Sequence, residues 1–398
     1  MRRRDFLAMF AASTVPFRVQ AQRKTGRLKI TDIRLVNLRT IREAGSIEPA
    51  WNPGTQTRFT VGGGSIIEIH TDQGLKGIGP GIDEGLLAAV KSQLVGKDPF
   101  DTEDHAGRLR YYAAGASYRG GANVDIALWD LLGKACGQPL YKLWGGGKDQ
   151  VIPYASMIKL GTPEERARLA GQLAAEGWQA IKLRLHHASI EDDLRTVEAV
   201  REATQNKMVV MVDANQAQSS GNWQPGVRWD YRRAFETAKE LEEMKVYWLE
   251  EPLPRYEFAQ LAELNERFNI PLAGGENNRG FHEFRQMCTE GVYDVLQPEP
   301  LVMEGITGLR KVGVLAEAFG KRVVPHHGGG NIGTIATLHL VASWPHAPYW
   351  ELLHDPPVGS FEHRFAIFQN PPKPGKDGLI NIPQGPGLGV EIDPGLIA

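Results

Sequence analysis

The spacing of hydrophobic positions changes several times along the chain, and each spacing predicts a different kind of element. Residues 27–80 predict a small sheet, with strands in RLKITDIRLVNLRTI and SIIEIHTDQGLKGIG and a hairpin turn at Asp72-Gln73-Gly74. The stretch between the two strands is rich in Gly, Pro and Thr and predicts a long loop, a feature that is usually functional in a compact domain. From about Glu84 to Lys142 apolar residues recur at helical spacing, with Gly137 as a stop.

After LWGGG the pattern alternates between short apolar runs and amphipathic segments. VIPYASMI, AIKLRLH and VVMVDAN are predicted strands, and the first helix between them has Thr162 as its cap, Pro163 at its first position and Gly177 as its stop. The alternation continues to PYWELLH near residue 353. Eight strand–helix units in about 200 residues predict a TIM-like (β/α)₈ barrel, in which active sites lie at the carboxyl ends of the strands.

The fold class is therefore α/β, and we predict four parts. Residues 1–21 are an export signal, 22–145 an α+β capping domain, 146–355 the barrel, and 356–398 a segment that returns to the cap.

The export signal is predicted from the N-terminus. Arg2–Arg4 precede Asp5-Phe6-Leu7 and an apolar stretch, and Val19-Gln20-Ala21 has the small residues of a cleavage site. This arrangement resembles a twin-arginine signal and predicts a periplasmic protein whose mature chain starts near Gln22. The alternative is a basic N-terminus that carries no address, in a cytoplasmic protein.

The amino-acid composition limits the kinds of molecule that the protein is expected to bind. The chain has 398 residues, enough for two domains, and its 45 basic and 47 acidic residues give a net charge of −2, which offers no electrostatic case for nucleic acid or a membrane surface. No run approaches the roughly 20 apolar residues of a membrane span. Cys136 and Cys288 lack CxxC spacing and are predicted to be packing residues. A small molecule is therefore the expected partner.

Ionisable residues stand at the ends of seven consecutive predicted strands. In chain order these residues are Lys182 and Arg184, Asp213, Glu250, Glu276, Glu299, His326 and Glu351. A barrel interior is normally filled by branched apolar side chains, so this recurrence has no structural need.

Three neighbouring acids in this set indicate a metal site. Asp213, Glu250 and Glu276 would repel one another without a partner, and their hard oxygen ligands suit Mg²⁺. Glu251 follows Glu250 in the motif WLEEPLP, but it should alternate to the other face of the strand as a supporting or structural acid.

These motifs together resemble the enolase superfamily, and within it the mandelate racemase / muconate lactonizing enzyme group. The resemblance runs through nearly the whole mature chain and rests on IALWDLLGKACGQPLYKLWGG, VDANQ, WLEEP, GGEN, QPE, PHH and WELLH in this order. It implies a Lys or His base, and Mg²⁺ that stabilises an enediolate formed from a carboxylate substrate. Relatives are usually multimers, so a homo-oligomer is expected.

The resemblance also assigns the catalytic residues, and this chain departs from the group at two of them. Lys182-Leu183-Arg184 replaces a Lys-x-Lys pair, and Glu299 replaces an Asp that pairs with a histidine. Arginine is a poor proton acceptor, so Arg184 is predicted to clamp an anionic oxygen, and Lys182 to bind the substrate carboxylate or, as the alternative, to act as base. His326 is then the leading base, oriented by Glu299.

A single competent base favours dehydration of a sugar acid to a 2-keto acid. The alternatives are a racemase or epimerase, a cycloisomerase, and a protein that binds a sugar acid without chemistry. Candidate substrate-binding residues are Asn215, Glu351, Arg279, Trp51 and His186. His327 is expected to point away from the site, and Gly328–Gly330 to form a turn rather than an anion cradle.

Overall fold

The structure is a computed structural model that describes residues 27–113, 118–220 and 223–398. The predicted export signal at residues 1–21 lies outside the described residues. In the described part of the chain, none of the helices combines the length and the apolar character that crossing a membrane would require.

The N-terminal region begins with five strands. They are β1 (Ile30–Asn37), β2 (Thr40–Ile47), β3 (Thr57–Gly62), β4 (Ser65–Thr71) and β5 (Lys76–Pro80). An antiparallel sheet forms in the order β1-β4-β5. The turn predicted at Asp72-Gln73-Gly74 joins β4 to β5, and Gly74 has a φ of +78°, a conformation that glycine adopts without steric cost.

The prediction of a long loop between β1 and β4 is largely wrong, because this segment contains the antiparallel hairpin of β2 and β3. Most of β2 is exposed, so it lacks the alternation of apolar and polar residues from which strands are predicted. The irregular part is confined to the connection between the two strands, and this connection carries Trp51.

Four helices follow the sheet, as the helical spacing predicts. They are α1 (Glu84–Leu94), α2 (Thr102–Ala113), α3 (Tyr118–Cys136) and α4 (Leu140–Leu143). Helix α3 packs closely on β5, where a Cβ at Gly77 would lie 2.2 Å from the carbonyl oxygen of Ala127. Gly137 ends α3 with a φ of +66°. Cys288 is buried as expected, but Cys136 is exposed because it is the last residue of α3.

Eight parallel strands form the barrel sheet. They are β7 (Pro153–Ser156), β8 (Ala180–Arg184), β9 (Val209–Asp213), β10 (Leu249–Glu250), β11 (Leu272–Gly274), β12 (Val295–Leu296), β13 (Arg322–Val323) and β14 (Trp350–Leu353), with β6 (Gln150–Val151) just before them. Strands that follow one another in the chain are neighbours in the sheet from β7 to β13, and β14 pairs with β7. The predicted fold class is therefore confirmed.

Helices alternate with these strands and pack around the sheet. They are α5 (Pro163–Ala175), α6 (Ile190–Ala203), α7 (Tyr231–Glu243), α8 (Phe258–Arg267), α9 (Gly280–Glu290), α10 (Gly305–Ala318) and α11 (Ile332–Ser343). The start signal predicted for α5 is confirmed: Thr162 caps the helix, and the Glu165 side chain accepts from the Thr162 backbone N–H.

The C-terminal segment contains α12 (Phe361–Phe365) and β15 (Ile380–Asn381). Strand β15 pairs with β6, and isolated bridges join Ile397 to Leu38 and Gly387 to Pro139. The segment thus contacts the N-terminal region, as expected, while the limits of the four predicted parts remain predictions.

The buried carboxylate of Asp130 connects three parts of the fold. Asp130, on α3, accepts from the backbone N–H of Ile78 on β5 and from that of Leu388 in the C-terminal segment, each at 2.8 Å. Lys134 also donates to Asp130, at 2.6 Å. Asp130 therefore connects the cap sheet, the longest cap helix and the C-terminal segment.

We predict that Asp130→Ala lowers the free energy of unfolding by about 3 kcal/mol or more, because it leaves two buried N–H groups without an acceptor. Chemical denaturation followed by circular dichroism measures this change. The matched control is Asp104→Ala, which removes an exposed ion pair with Arg108 and should change stability by less than about 1 kcal/mol. Equal effects of the two substitutions would contradict the role of Asp130.

Candidate active site

The charged residues predicted from the strand ends all lie at one end of the barrel. Lys182 and Arg184 are on β8, and Asp213, Glu250 and Glu351 are on β9, β10 and β14. Glu276, Glu299 and His326 lie two or three residues beyond the ends of β11, β12 and β13. The carboxyl ends of parallel strands meet at one edge, which is why residues far apart in sequence converge here.

The three predicted metal ligands form a compact group. Carboxylate oxygens of Asp213, Glu250 and Glu276 all lie within 4.8 Å of one another, and the three side chains are buried. Trp248 and Gln297 donate to Glu250 Oε2 at 3.1 and 2.8 Å, which fixes the orientation of this carboxylate. We call Asp213, Glu250 and Glu276 the acid group.

Lys182 lies fully buried beneath the acid group. Its Nζ is 2.7 Å from Glu250, 3.0 Å from Glu351 and 3.5 Å from Asp213. Burial alone would lower the pKa of Lys182, but these carboxylates raise it well above its ordinary value. Lys182 is therefore a fixed cation at neutral pH and a poor proton acceptor.

Arg184 is held by five partners of different kinds, one of which is the Ser156 hydroxyl, 3.2 Å from Nη2. Nη1 donates to Asp213 and, at 3.0 Å, to the side-chain oxygen of Asn215. Nε donates to the Met157 carbonyl at 2.7 Å, and Trp51 from the β2–β3 connection lies 4.7 Å from the guanidinium carbon. The Trp51 ring thus makes a cation–π contact that joins the cap to the barrel.

Asn215 links Arg184 to His186. The Asn215 side-chain oxygen accepts from His186 Nε2 at 3.1 Å, and its amide nitrogen donates to Asp213 at 3.0 Å. Burial lowers the pKa of His186, so this histidine is neutral at pH 7. His186 therefore acts as a hydrogen-bond donor that orients the Asn215 side chain.

His326 lies between two carboxylates. Nδ1 is 2.5 Å from Glu299, and Nε2 is 3.2 Å from Glu276 of the acid group. Glu299 also accepts from the backbone N–H groups of Leu301 and Gly328, which holds its carboxylate in place. Burial would lower the pKa of His326, but Glu276, Glu351 and Glu299 raise it to about 10.

A cavity of about 370 Å³ opens above these residues, within the size range of small-molecule sites. Its wall includes Trp51, Arg184, Asn215, Gln218, Glu276, Asn277, Glu299, Leu301, Val302, His326, His327, Gly329, Leu353 and Arg364. Of the predicted substrate-binding residues, Trp51 and Asn215 are in this set. Glu351 and His186 are buried, while Arg279 is exposed and is not among the described residues that line the cavity.

The expectation for His327 is wrong, because this side chain lines the same cavity as His326. The two ring centroids are 4.1 Å apart. Strand β13 ends at Val323, and His327 has helical φ and ψ angles of −59° and −3°, so the alternation of a strand does not apply to it. Gly328–Gly330 form a turn, as expected, and all three have positive φ values.

Three residues of this site were not predicted from the sequence. Gln218 donates to Glu276 at 3.1 Å, and Gln297 fixes Glu250; both belong to motifs, VDANQAQ and QPE, that could have indicated them. Arg364 comes from α12 in the C-terminal segment, and no motif indicates it.

Glu251 behaves differently from its neighbour Glu250. Its φ of +45° turns the chain out of the strand, and its carboxylate is buried with no hydrogen-bond partner among the described residues. Burial and the nearby acids raise the pKa of Glu251 well above its ordinary value. The protonated form of Glu251 is therefore favoured beside the acid group.

The acid group fits a divalent cation by the chemistry of its donors. Three buried carboxylates on adjacent strands supply hard oxygen ligands. Burial and the charge of Asp213 raise the pKa of Glu250 above its ordinary range, even though Lys182 is nearby. The group therefore carries more negative charge than its protein partners offset.

The barrel carries converging acids, a histidine–carboxylate pair and a separate cap over the cavity. This is the architecture of a barrel enzyme that acts on a small anionic substrate. Two family models match the chain: residues 42–145 match the mandelate racemase / muconate lactonizing enzyme N-terminal domain, and residues 165–396 match the enolase C-terminal domain-like family. The chain belongs to the mandelate racemase / muconate lactonizing enzyme group of the enolase superfamily.

Individual relatives agree with this assignment. The chain is 31% identical to L-talarate/galactarate dehydratase of Salmonella typhimurium over 72% of each chain. It is 30% identical to D-galactarolactone cycloisomerase of Agrobacterium fabrum over 82% of this chain and 88% of that one. The crystal structure of D-glucarate dehydratase from Agrobacterium tumefaciens, complexed with magnesium, superposes with a TM-score of 0.79 at 27% identity and covers 92% of this chain and 97% of that one. The expected superfamily and enzyme class are confirmed.

We predict that Glu250→Gln weakens Mg²⁺ binding at least about tenfold, because it removes one anionic ligand. Isothermal titration calorimetry measures the affinity. Glu251→Gln is the matched control: Glu251 lies outside the acid group, and the amide has the shape of the protonated acid that burial favours, so Mg²⁺ affinity should stay within about threefold. Loss of binding in both variants, or in neither, would contradict the assignment.

Proposed function

We propose that this protein removes the α-proton of a hydroxylated carboxylate and dehydrates a sugar acid to a 2-keto acid. The observation that carries the proposal is the position of His326, which lines the cavity with one nitrogen directed at Glu299 and the other near the acid group. The names of the relatives, sugar-acid dehydratases among them, support the substrate class.

Asp213, Glu250 and Glu276 would hold Mg²⁺. When bound, this ion stabilises the negative charge that develops on the substrate carboxylate as the α-proton leaves. Lys182 adds a fixed positive charge below the acid group, and Arg184 presents a permanent cation at the cavity wall. Arg184 is suited to orient the carboxylate. The prediction that Lys182 binds the substrate carboxylate is wrong, because its ammonium group is fully buried against three protein carboxylates.

His326 is the proposed base. Its Nδ1–H donates to Glu299. The negative charge of Glu276 and Glu351 favours a proton on Nε2 in the free protein. When that charge is offset by a cation bound at Glu276, Nε2 can accept the α-proton. If the α-hydrogen and the β-hydroxyl lie on the same face, His326 returns this proton to the hydroxyl, and water leaves as the C–O bond breaks. The enol that remains tautomerises to the 2-keto acid. One histidine can thus serve both steps.

The surroundings of Lys182 and Arg184 favour this reaction over racemisation. Racemisation needs a second proton carrier on the opposite face of the substrate. Arg184 stays protonated in any protein environment, and the acids around Lys182 stabilise its charged form. Neither residue is suited to accept a proton.

We predict that Mg²⁺-loaded protein forms a 2-keto acid from at least one member of a sugar-acid library, and that His326→Asn lowers kcat by about 10² to 10⁴-fold. Keto-acid detection with semicarbazide measures the rate. His327→Asn changes the adjacent ring on the same cavity wall, and its loss should be at least tenfold smaller.

Two other results would overturn dehydration. Exchange of the α-hydrogen with solvent deuterium without loss of hydroxyl would identify a racemase or epimerase. Binding of sugar acids with neither exchange nor product would identify a binding protein.

We also propose that the chain is exported through a twin-arginine pathway, on the strength of Arg2–Arg4 and the residues that follow them. Cell fractionation should find the protein in the periplasm, with Gln22 near its N-terminus. Replacement of Arg3 and Arg4 by lysine should retain the protein in the cytoplasm, because the pathway recognises arginine. Unchanged location of that variant, or an unprocessed chain, would contradict export. The expected homo-oligomer remains a prediction.

A further inference from the structure

Arg364 lines the active-site cavity but belongs neither to the acid group nor to the network around Arg184. It lies on the short helix α12, in the segment that follows the last barrel strand. Its side chain is partly buried and shares the cavity wall with Trp51 and His327. The mechanism proposed above does not use it.

The protein builds a defined place for this guanidinium. Nη1 donates to the Gly329 carbonyl at 3.0 Å, and the guanidinium carbon lies 5.4 Å from the ring centroid of Phe59 on β3. A Cβ at Gly330 would lie only 2.2 Å from Nη1, and Gly330 has a φ of +96°, so a side chain there would displace Arg364. The turn after β13 and the cap hairpin together position the group.

The charge of Arg364 is not balanced by the protein. Among the described residues, the buried cations Lys182, Arg184 and Arg166 each pair with at least one carboxylate. Arg364 forms no ion pair within the described part of the chain. Burial lowers its pKa, and yet a guanidinium remains charged at neutral pH. A partly desolvated cation at a cavity wall is stabilised by an anionic ligand.

We propose that Arg364 binds a second carboxylate of the substrate, at the end of the molecule away from the reacting carbon. The substrate is then a dicarboxylic sugar acid, an aldarate, and Arg364 is a specificity-determining residue. This inference rests on the proposed function, in which the first carboxylate is bound at the acid group. The Gly329 carbonyl takes one of the five N–H donors of Arg364, and those that remain can bind a planar carboxylate in a bidentate manner.

The test compares sugar acids of the same configuration that differ only at the distal carbon, which carries a carboxylate, a hydroxymethyl group or a phosphate ester. Wild-type kcat/KM should be highest for the dicarboxylate. Arg364→Gln should lower kcat/KM for the dicarboxylate by about 10- to 100-fold and for the hydroxymethyl compound by less than about threefold. Arg364→Lys keeps the positive charge but loses the planar guanidinium that can bind a carboxylate through two hydrogen bonds. Its kcat/KM for the dicarboxylate should therefore lie between the values for Arg364→Gln and the wild type.

The matched control is Arg232→Gln, which changes an exposed arginine that pairs with Glu236 on α7 and should leave all rates unchanged. Circular dichroism and the Mg²⁺ affinity show whether each variant is folded.

Equal losses on the dicarboxylate and hydroxymethyl substrates would overturn the role of Arg364 and leave dehydration intact. A wild-type preference for the hydroxymethyl or phosphorylated compound would do the same. Absence of turnover for all three classes across the tested configurations would overturn the proposed function and this inference with it.

Discussion

The active end of this barrel is governed by the repulsion among buried acids. Asp213, Glu250 and Glu276 lie within 4.8 Å of one another, and Glu351 is close by on the other side of Lys182. Such a group is stable only if cations are placed within it. Lys182 from below and Arg184 from the side supply two positive charges, and both lie on β8. The remaining negative charge suits a divalent ion.

This charge balance determines which residues are left for chemistry. Lys182 and Arg184 serve as fixed cations, because the surrounding carboxylates raise the pKa of both side chains. His326 is different because it lines the cavity and because its Nε2 faces Glu276, whose charge a bound divalent ion would offset. Arg184 has a second effect: its contact with Trp51 ties the cap to the same charged network. The cap and the chemistry of the barrel are therefore coupled through one guanidinium.

Periodicity predicted the barrel well, because each strand–helix unit repeats the same signals at a similar spacing. The strand-end acids followed from that repeat, and the structure brings Asp213, Glu250 and Glu276 together as predicted. The exposed hairpin strand β2 was missed because its pattern resembles that of a loop.

His327 and Arg364 could not be placed from sequence. Alternation fails for His327 because the chain has already left the strand and adopts helical angles. Arg364 reaches the cavity only through the return of the C-terminal segment, which depends on tertiary packing rather than on any local pattern.

The return of the C-terminal segment has a consequence for the order of assembly. Leu388 binds Asp130, Ile397 bridges to Leu38, and Arg364 completes the cavity wall beside Phe59. These contacts close over the N-terminal cap with residues that are synthesised after all the barrel strands. The cap, although encoded before the barrel, therefore reaches its final form only after the barrel has been synthesised. The cavity wall is incomplete until the segment after β14 has joined the cap.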